Sequence, residues 1–361
     1  MSIRSSSPSN AGGKSVLPWL FVLVLVLACS PDSMPTATER LAVPPNRLAV
    51  GSAQLSRAAE GGQEGKIVFH SNRDGNLDVY VMNADGTDQT AITSDDNEDI
   101  DPTWSPNGKL IAFNRFPADF SGCEVYVMNA DGSGVRQLTH DGTYDFGGIW
   151  SPDGKQIAFK SNRDGDDDLY VMNADGTGIK QVTNIGWVAT VTAWSPNGKQ
   201  LAFVGYYDYI VDGALGDKEI YVVNVGDGKI TQLTDNHVED EGDHAGWSPN
   251  GKLFSFSSRS DGGDLDIFVM NADGTGIRQI TGIGGDGAVD DDDSFWSPDG
   301  KYLAFQSTRD GDEEVYTIPV DLSRPARQLT FNSVFSDAVP VWARGRVHSS
   351  GKNDESDDND D

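Results

Sequence analysis

Cysteine is nearly absent from this chain: Cys29 and Cys123 are the only two among 361 residues. A disulfide-stapled scaffold is therefore excluded. Basic residues are scarce as well, 27 Lys and Arg against 56 Asp and Glu, for a formal net charge of -29. A surface of that sign repels phosphate, so nucleic acid and anionic lipid headgroups are not expected partners, whereas basic proteins, cations and neutral glycans are. No stretch has the 3.6-residue apolar period of an amphipathic helix. There is no Gly-x-Ser-x-Gly nucleophile elbow and no phosphate-binding glycine loop opening a helix, which removes the commonest hydrolase and nucleotide-binding signatures.

What the chain does have is a repeat. Trp-Ser-Pro-Asp-Gly-Lys stands at residues 150–155 and 296–301, and with Asn for Asp at 104–109, 194–199 and 247–252. A period of roughly 45 residues marks a propeller or array and takes precedence over local patterns. Each unit reads strand by strand. An apolar run ends in Trp, and Ser-Pro-Asp/Asn-Gly then reverses the chain, Pro fixing φ and Gly supplying a positive φ. The second strand carries Ile111-Ala112-Phe113, Ile157-Ala158-Phe159, Leu201-Ala202-Phe203, Phe254-Ser255-Phe256 or Leu303-Ala304-Phe305. A third strand such as Leu169-Tyr170-Val171-Met172 follows a polar loop, and a short fourth run such as Arg136-Gln137-Leu138-Thr139 completes the unit. Four short strands joined by glycine turns make one blade.

The count predicts how the ring closes. Lys66-Ile67-Val68-Phe69 is a second strand with no first before it, and Val339-Pro340-Val341-Trp342 is a first strand with no second after it. Pairing the two yields an all-β fold, a six-bladed β-propeller over residues 66–343 whose four-stranded antiparallel blades are closed by the N- and C-terminal strands. Closure also removes two exposed sheet edges.

The units Trp-Ser-Pro-Asp-Gly-Lys-x-Ile-Ala-Phe and Ile/Val-Tyr-Val-Met-Asn-Ala-Asp-Gly-Thr resemble the WD40-like repeats of TolB-type β-propellers. Propellers similar to these serve as envelope scaffold proteins, as gating domains of serine peptidases and as metal-dependent pectate-fragment lyases, so the resemblance implies the fold and leaves function to the loops. Its first implication is a non-catalytic scaffold that binds an envelope protein or glycan as a monomer. The alternative is a metal-dependent carbohydrate lyase or hydrolase working at the propeller funnel.

Residues 1–29 read as an export signal. Arg4 and Lys14 precede an apolar stretch of 13 residues, 16–28, too short to span a bilayer comfortably. It ends Val26-Leu27-Ala28-Cys29-Ser30, which resembles a bacterial lipobox and would make Cys29 a lipidated residue holding the protein to a membrane, in the periplasm or on the cell surface. Residues 30–65, rich in Pro, Ala, Ser and Gly, read as a flexible linker, and residues 344–361 as a disordered acidic tail. Cys123, at the start of a third strand, reads as a small packed residue.

In propellers generally the first strand of each blade lines the axis. The loops from strand four to the next strand one, and from strand two to strand three, then share one face, and it is strongly acidic. That face is the expected binding surface. An acid two residues before the strand-three aromatic recurs in all six units, Asp78, Glu124, Asp168, Glu219, Asp266 and Glu314, and is expected to pair inside the blade with loop arginines such as Arg73, Arg163, Arg259 and Arg309. A second acid, five residues before Trp, is incomplete: Asp99, Asp145, Asp291 and Asp337, replaced by Ala189 and Gly242. These four are candidates both for holding the loops and for contacting a ligand at the channel mouth. Two loops depart from the repeat, an aromatic one with Tyr206, Tyr207 and Tyr209 and a smaller one with Phe116 and Phe120; with Tyr144, Phe146 and Trp187 they are expected to form an aromatic docking patch. No cofactor is expected in the first reading. A weak metal set, His237, His244 and Asp293, is the place for zinc or manganese in the second, and the carboxylates alone would suit Ca2+.

Overall fold

A computed structural model describes residues 65–206, 218–235, 245–259, 263–283, 289–332 and 335–343. The expected export signal with Cys29, the linker, the acidic tail and Tyr207, Tyr209, His237 and His244 lie outside the described residues.

The described residues form 24 strands and no helix. Blade one consists of β24 (Asp337–Trp342), β1 (Lys66–Ser71), β2 (Asp78–Asn83) and β3 (Thr90–Ala91). Blade two is β4 (Glu98–Trp104), β5 (Leu110–Phe116), β6 (Glu124–Asn129) and β7 (Arg136–Gln137), and blade three is β8 (Asp145–Trp150), β9 (Gln156–Ser161), β10 (Asp168–Asn173) and β11 (Lys180–Gln181). Blade four follows with β12 (Val188–Trp194), β13 (Gln200–Tyr206), β14 (Lys218–Asn224) and β15 (Ile230–Gln232). Blade five has β16 (Gly246–Trp247), β17 (Leu253–Ser258), β18 (Asp266–Asn271) and β19 (Arg278–Gln279), and blade six β20 (Asp291–Trp296), β21 (Tyr302–Ser307), β22 (Glu314–Pro319) and β23 (Arg327–Gln328). Every pairing between these strands is antiparallel. The first strands of successive blades neighbour one another all the way round, β24 against β4 and β20 against β24 included, so they form the inner wall. Val341 pairs with Val68, as the strand count requires, and the last strand closes the ring.

The Ile-Ala-Phe triplet explains how the blades stack. Successive side chains on a strand point to opposite faces, so Ile67 and Phe69 face blade six while Val68 faces blade two. On the first side, Ile67, Phe69, Tyr80, Met82 and Trp342 pack against Ala304, Val315 and Leu329. On the second, Val68, Val79 and Val81 receive Trp104, Ile111, Phe113 and Met128. The same large-into-small contact recurs between blades two and three, where Ala112, Val125 and Val127 receive Trp150, Ile157, Phe159, Tyr170 and Met172. The middle residue of the triplet is small because its neighbour's ring fills the space, and close packing leaves no room for more.

Glycine in the Asn-Ala-Asp-Gly turn has an interblade reason too. A Cβ on Gly86 would lie 2.4 Å from the Leu329 carbonyl oxygen, and one on Gly132 2.3 Å from that of Ile92, in each case on the preceding blade. Both glycines also hold a positive φ, +86° and +83°. A side chain is thus excluded by backbone conformation and by the neighbouring main chain together.

Candidate binding face

Hydrogen bonds between loops gather one end of the ring into a face. The Asn76 amide donates to the carbonyls of Asp95 and Asn97 at 2.9 and 2.6 Å, and the Ser336 amide donates to Asn72 Oδ1 at 2.9 Å. Loops from strand two to three are therefore bound to loops from strand four to one, as the blade topology implies.

Beneath this face lies a repeated clamp. Asp99, Asp145, Asp291 and Asp337 are fully buried at the start of their inner strands. Each meets a guanidinium: Arg115 on Asp99 through two bonds of 2.6 and 2.7 Å, Arg163 on Asp145 at 2.8 Å, Arg309 on Asp291 at 2.8 Å and Arg73 on Asp337 at 2.5 Å. Three of these arginines also donate from Nε to a serine at the end of strand two, Ser71, Ser161 or Ser307. All four stack over the Phe and Tyr rings of strands two and three, at 4.7 to 5.5 Å from the centroids. Burial pushes the carboxyls of Asp99, Asp145 and Asp291 upward, and the bonds from serine and arginine oppose it. In blade four the aspartate is replaced by Ala189 and the residue six after Leu201, where arginine stands in blades one, three and six, is Tyr207. Acid and base are lost together there, as expected of a pair that is costly to break and cheap to omit.

The strand-three acids take a different partner from the arginines expected for them. Thr93 donates its hydroxyl to Asp78 at 2.9 Å, Thr139 to Glu124 at 2.5 Å, Thr183 to Asp168 at 2.8 Å and Thr281 to Asp266 at 3.2 Å, and Thr330 donates to Glu314. Each threonine meanwhile accepts the amide of the residue after the acid, as Thr93 does from Val79 at 2.8 Å. The reason is visible in the register. Ser71 is flanked by Asp78 on one side and Asp337 on the other, and a threonine from beyond β3 occupies the first, leaving the guanidinium the second. Burial, helped by nearby Asp99, Asp95 and Asp74 and opposed by Thr93, raises Asp78 to about 6.

The aromatic residues separate into two groups. Phe116, buried at the end of β5, lies 5.9 Å from Phe120 and 5.6 Å from Phe146, whose ring stacks on Tyr144 at 6.3 Å. Phe120 is 43% exposed and holds a positive φ of 51°, a conformation bulky residues rarely adopt. Trp187 is not in this cluster; it packs on Phe203 and Tyr221 of its own blade, at 5.9 and 4.9 Å. Tyr206 is half-buried, and its amide donates to the Trp187 carbonyl at 3.2 Å. Asp293 is buried on the inner strand of blade six with φ +53°. Cys123 is buried and its thiol is pushed well up by burial, which leaves it inert as a nucleophile.

Sequence reasoning passed over Phe331 and Phe335, 74% and 38% exposed on the loop into β24. A signal was present at Phe331, since the residue after the strand-four threonine is Ser94, His140, Asn184, Asp235 or Gly282 in the other units, but no motif drew attention to it. It also passed over a carboxylate group formed by Asp310, Asp312 and Glu314.

A family model for the TolB beta propeller domain matches residues 117–212 and 242–348, more than half of the chain. The chain belongs to the TolB beta propeller family. Among solved structures, TolB from Acinetobacter baumannii matches with 19% identity over 78% of this chain and 67% of its own, at a TM-score of 0.62. A putative TolB from Agrobacterium tumefaciens matches with 21% identity over 75% of this chain and 90% of its own, at 0.57. A chain of a nidogen/laminin complex matches with 10% identity over 77% of this chain and 98% of its own, at 0.59. At such identities the likeness is one of fold. No curated protein matches the chain.

Proposed function

We propose that this TolB-family propeller is an exported binding protein of the cell envelope, acting by docking a protein or glycan on its acidic loop face rather than by covalent chemistry. The observation that carries the reading is the partly exposed aromatic cluster of Phe116, Phe120, Tyr144 and Phe146 on that face. Aromatic side chains offer large contact area at low entropy cost, and they dominate interface energetics when ringed by polar groups. Here Asp119 and Asp141 supply the polar surround, so a partner with a cationic or hydroxyl-rich surface is the complement. The clamped aspartates underneath hold the loops in place, and the reading keeps the aromatic run Tyr206, Tyr207 and Tyr209 of the sequence as a second contact. That a propeller of the same fold occurs in a nidogen/laminin complex agrees with a protein-binding role. The anchor in this reading is an acyl group on Cys29, which holds the monomeric protein to a membrane.

Crosslinking of the full-length protein in envelope extract tests the docking face. Phe120→Ala with Tyr144→Ala is expected to lose the captured species, and Tyr206→Ala with Tyr207→Ala and Tyr209→Ala to weaken it. Capture of the same species at the same yield by both variants defeats the reading. Cys29→Ala is expected to move the protein from the membrane to the soluble fraction; a variant that stays with the membrane defeats the anchor alone.

A further inference from the structure

The end of the ring opposite the loop face carries lysine in a continuous arc. Each Ser-Pro-Asp/Asn-Gly-Lys turn joins an inner strand to strand two, and the turns of successive blades touch. A Cβ on Gly154 would lie 3.6 Å from the Pro106 ring, on Gly198 3.9 Å from Pro152, on Gly251 3.7 Å from Pro196 and on Gly300 3.4 Å from Pro249. Lys109, Lys155, Lys199, Lys252 and Lys301, all exposed, therefore follow one another along blades two to six. Blade one has no such turn. Its inner strand ends at Trp342, and Ala343 stands where the other blades carry the serine of the turn, its amide donating to the Lys66 carbonyl at 2.8 Å as that of Ser105 donates to Leu110 at 2.9 Å. The arc is thus open at the point where the chain leaves it.

The charge of the arc is weakly met. Lys155 and Lys301 pair with Asp153 and Asp299 of their own turns at 3.6 and 3.3 Å, yet these lysines remain 80% and 72% exposed. Asn replaces the aspartate in the other three turns, and among the described residues no ion pair reaches Lys109, Lys199 or Lys252. On a chain of net charge -29, five lysines against two aspartates reverse the local sign. The turns between strands three and four, at the outer side of the same end, are acidic instead. There Asp85, Asp131, Asp175 and Asp273 accept the hydroxyl of the Thr or Ser two residues on, which holds their carboxyls below the usual range and charged. An anionic segment is repelled from the outer turns and attracted to the inner arc.

We propose that the acidic run of residues 354–361 docks on this lysine arc. It holds six carboxylates in eight residues, Asp354, Glu355, Asp357, Asp358, Asp360 and Asp361. Ten residues separate it from Ala343, a contour of about 35 Å. Facing sheets pack about 10 Å apart, so that length reaches the turns of blades two and six and those beyond them. Single exposed ion pairs are weak, but attachment beside the arc gives the run a high effective concentration there, and several pairs then add. The contact lies at the end of the ring opposite the docking surface proposed above and is independent of that reading.

Carbodiimide coupling of the full-length protein, with the products mapped by mass spectrometry, tests the contact. The reagent joins a lysine amine to a touching carboxylate as an amide and takes up the water that is lost. In the monomer, residues 354–361 are expected to couple to lysines of the arc, and to lose that coupling in about 1 M sodium chloride, where charges are screened beyond about 3 Å. Lys109→Gln with Lys252→Gln and Lys301→Gln alters exposed side chains only. Trypsin should then cut after Lys352 about tenfold faster than in the wild type, a factor that three exposed ion pairs supply together. Asp357→Asn with Asp358→Asn, Asp360→Asn and Asp361→Asn should speed the same cut without touching any strand of the ring. No coupling in the monomer, coupling confined to dimers, or equal yield at Lys180 and Lys229, which lie outside the arc, overturns the proposal. So does cutting at the wild-type rate in both variants.

Discussion

Replacing Arg163 by Leu isolates what the buried clamp contributes. Asp145 is fully buried and would be left with a burial penalty and no cation, so at neutral pH it must take a proton to remain inside. Binding a proton at pH 7 by a group whose unfolded pKa is about 3.9 costs about 4 kcal/mol, at 1.36 kcal/mol per unit, and this bounds the electrostatic loss. The guanidinium is 19% exposed, so water already screens part of its attraction and the loss falls toward about 3 kcal/mol. The vacated stacking on Phe159 and Tyr170, at 5.0 Å from each ring, adds about 1 kcal/mol that leucine only partly restores. Thermal melts should therefore show a Tm lower by roughly 10 °C at pH 7.5. The electrostatic part has a signature. With its folded-state pKa raised, Asp145 costs the variant most above that pKa and progressively less as pH falls toward the unfolded value. The deficit relative to wild type should shrink by about 2 kcal/mol between pH 7.5 and pH 5, a range that stays above the sequence pI of about 4.3. Asp145→Asn in the Arg163→Leu background should recover most of the loss. A deficit that does not change with pH, or no recovery in the double variant, refutes the claim that the arginine neutralises the aspartate and leaves only its packing.

Three further outcomes follow from the blades themselves. Gly132→Ala should cost about 2 to 4 kcal/mol by urea unfolding, because its Cβ would meet the Ile92 carbonyl oxygen at 2.3 Å in a backbone conformation that disfavours side chains; an effect below about 1 kcal/mol would show that neighbouring blades shift freely. Asp78, raised to about 6 by burial first of all, lends stability when protonated, fully below pH 4, and loses it as pH rises through 6, so Asp78→Asn should gain about 2 kcal/mol on wild type between pH 4 and 7. A parallel pH dependence in the two proteins would count against that burial. Truncation before Asp337 removes β24 and leaves β1 paired with β2 alone, its inner edge exposed, so the shortened chain should self-associate and be cut readily near Lys66 in light-scattering and limited-proteolysis assays.

Much of the fold could be read from the chain because a propeller blade is specified locally. Trp, the Ser-Pro-Asp/Asn-Gly reversal and the Ile-Ala-Phe triplet each fix a strand or a turn within a few residues, and counting them was enough to pair Val341 with Val68 across the whole chain length. Side-chain partners were harder, because they depend on which of two nearby groups wins. Ser71 sits between Asp78 and Asp337, and nothing in the spacing says that threonine takes one and arginine the other. The aromatic residues show the same limit: Phe116, Phe120, Tyr144 and Phe146 do converge, whereas Trp187 turns back on Phe203 because Gly205 leaves space for its ring, a Cβ there falling 2.5 Å from the indole.

These particulars bear on how the loop face is able to carry function. A face ringed with carboxylates would repel itself apart unless the charge were met from within. In four blades an arginine does this on the inner side of the loops, and its stacking on the strand-two and strand-three rings ties the loop to the blade core. Loops held at their base tolerate change at their tips. Two departures from the repeat lie at such tips, Phe120 beyond the Arg115 clamp and Phe331 with Phe335 beside the Arg73 clamp, whereas the aromatic run of blade four departs where acid and base are both replaced. Changing a clamp should therefore loosen several tips at once and lower stability, whereas changing Phe120 or Phe331 should leave the melt untouched and alter binding alone. Parallel melts and binding measurements on Arg115→Leu and Phe120→Ala separate these two kinds of residue, and a Phe120→Ala protein that melts several degrees early would place that ring in the core instead of on the docking surface.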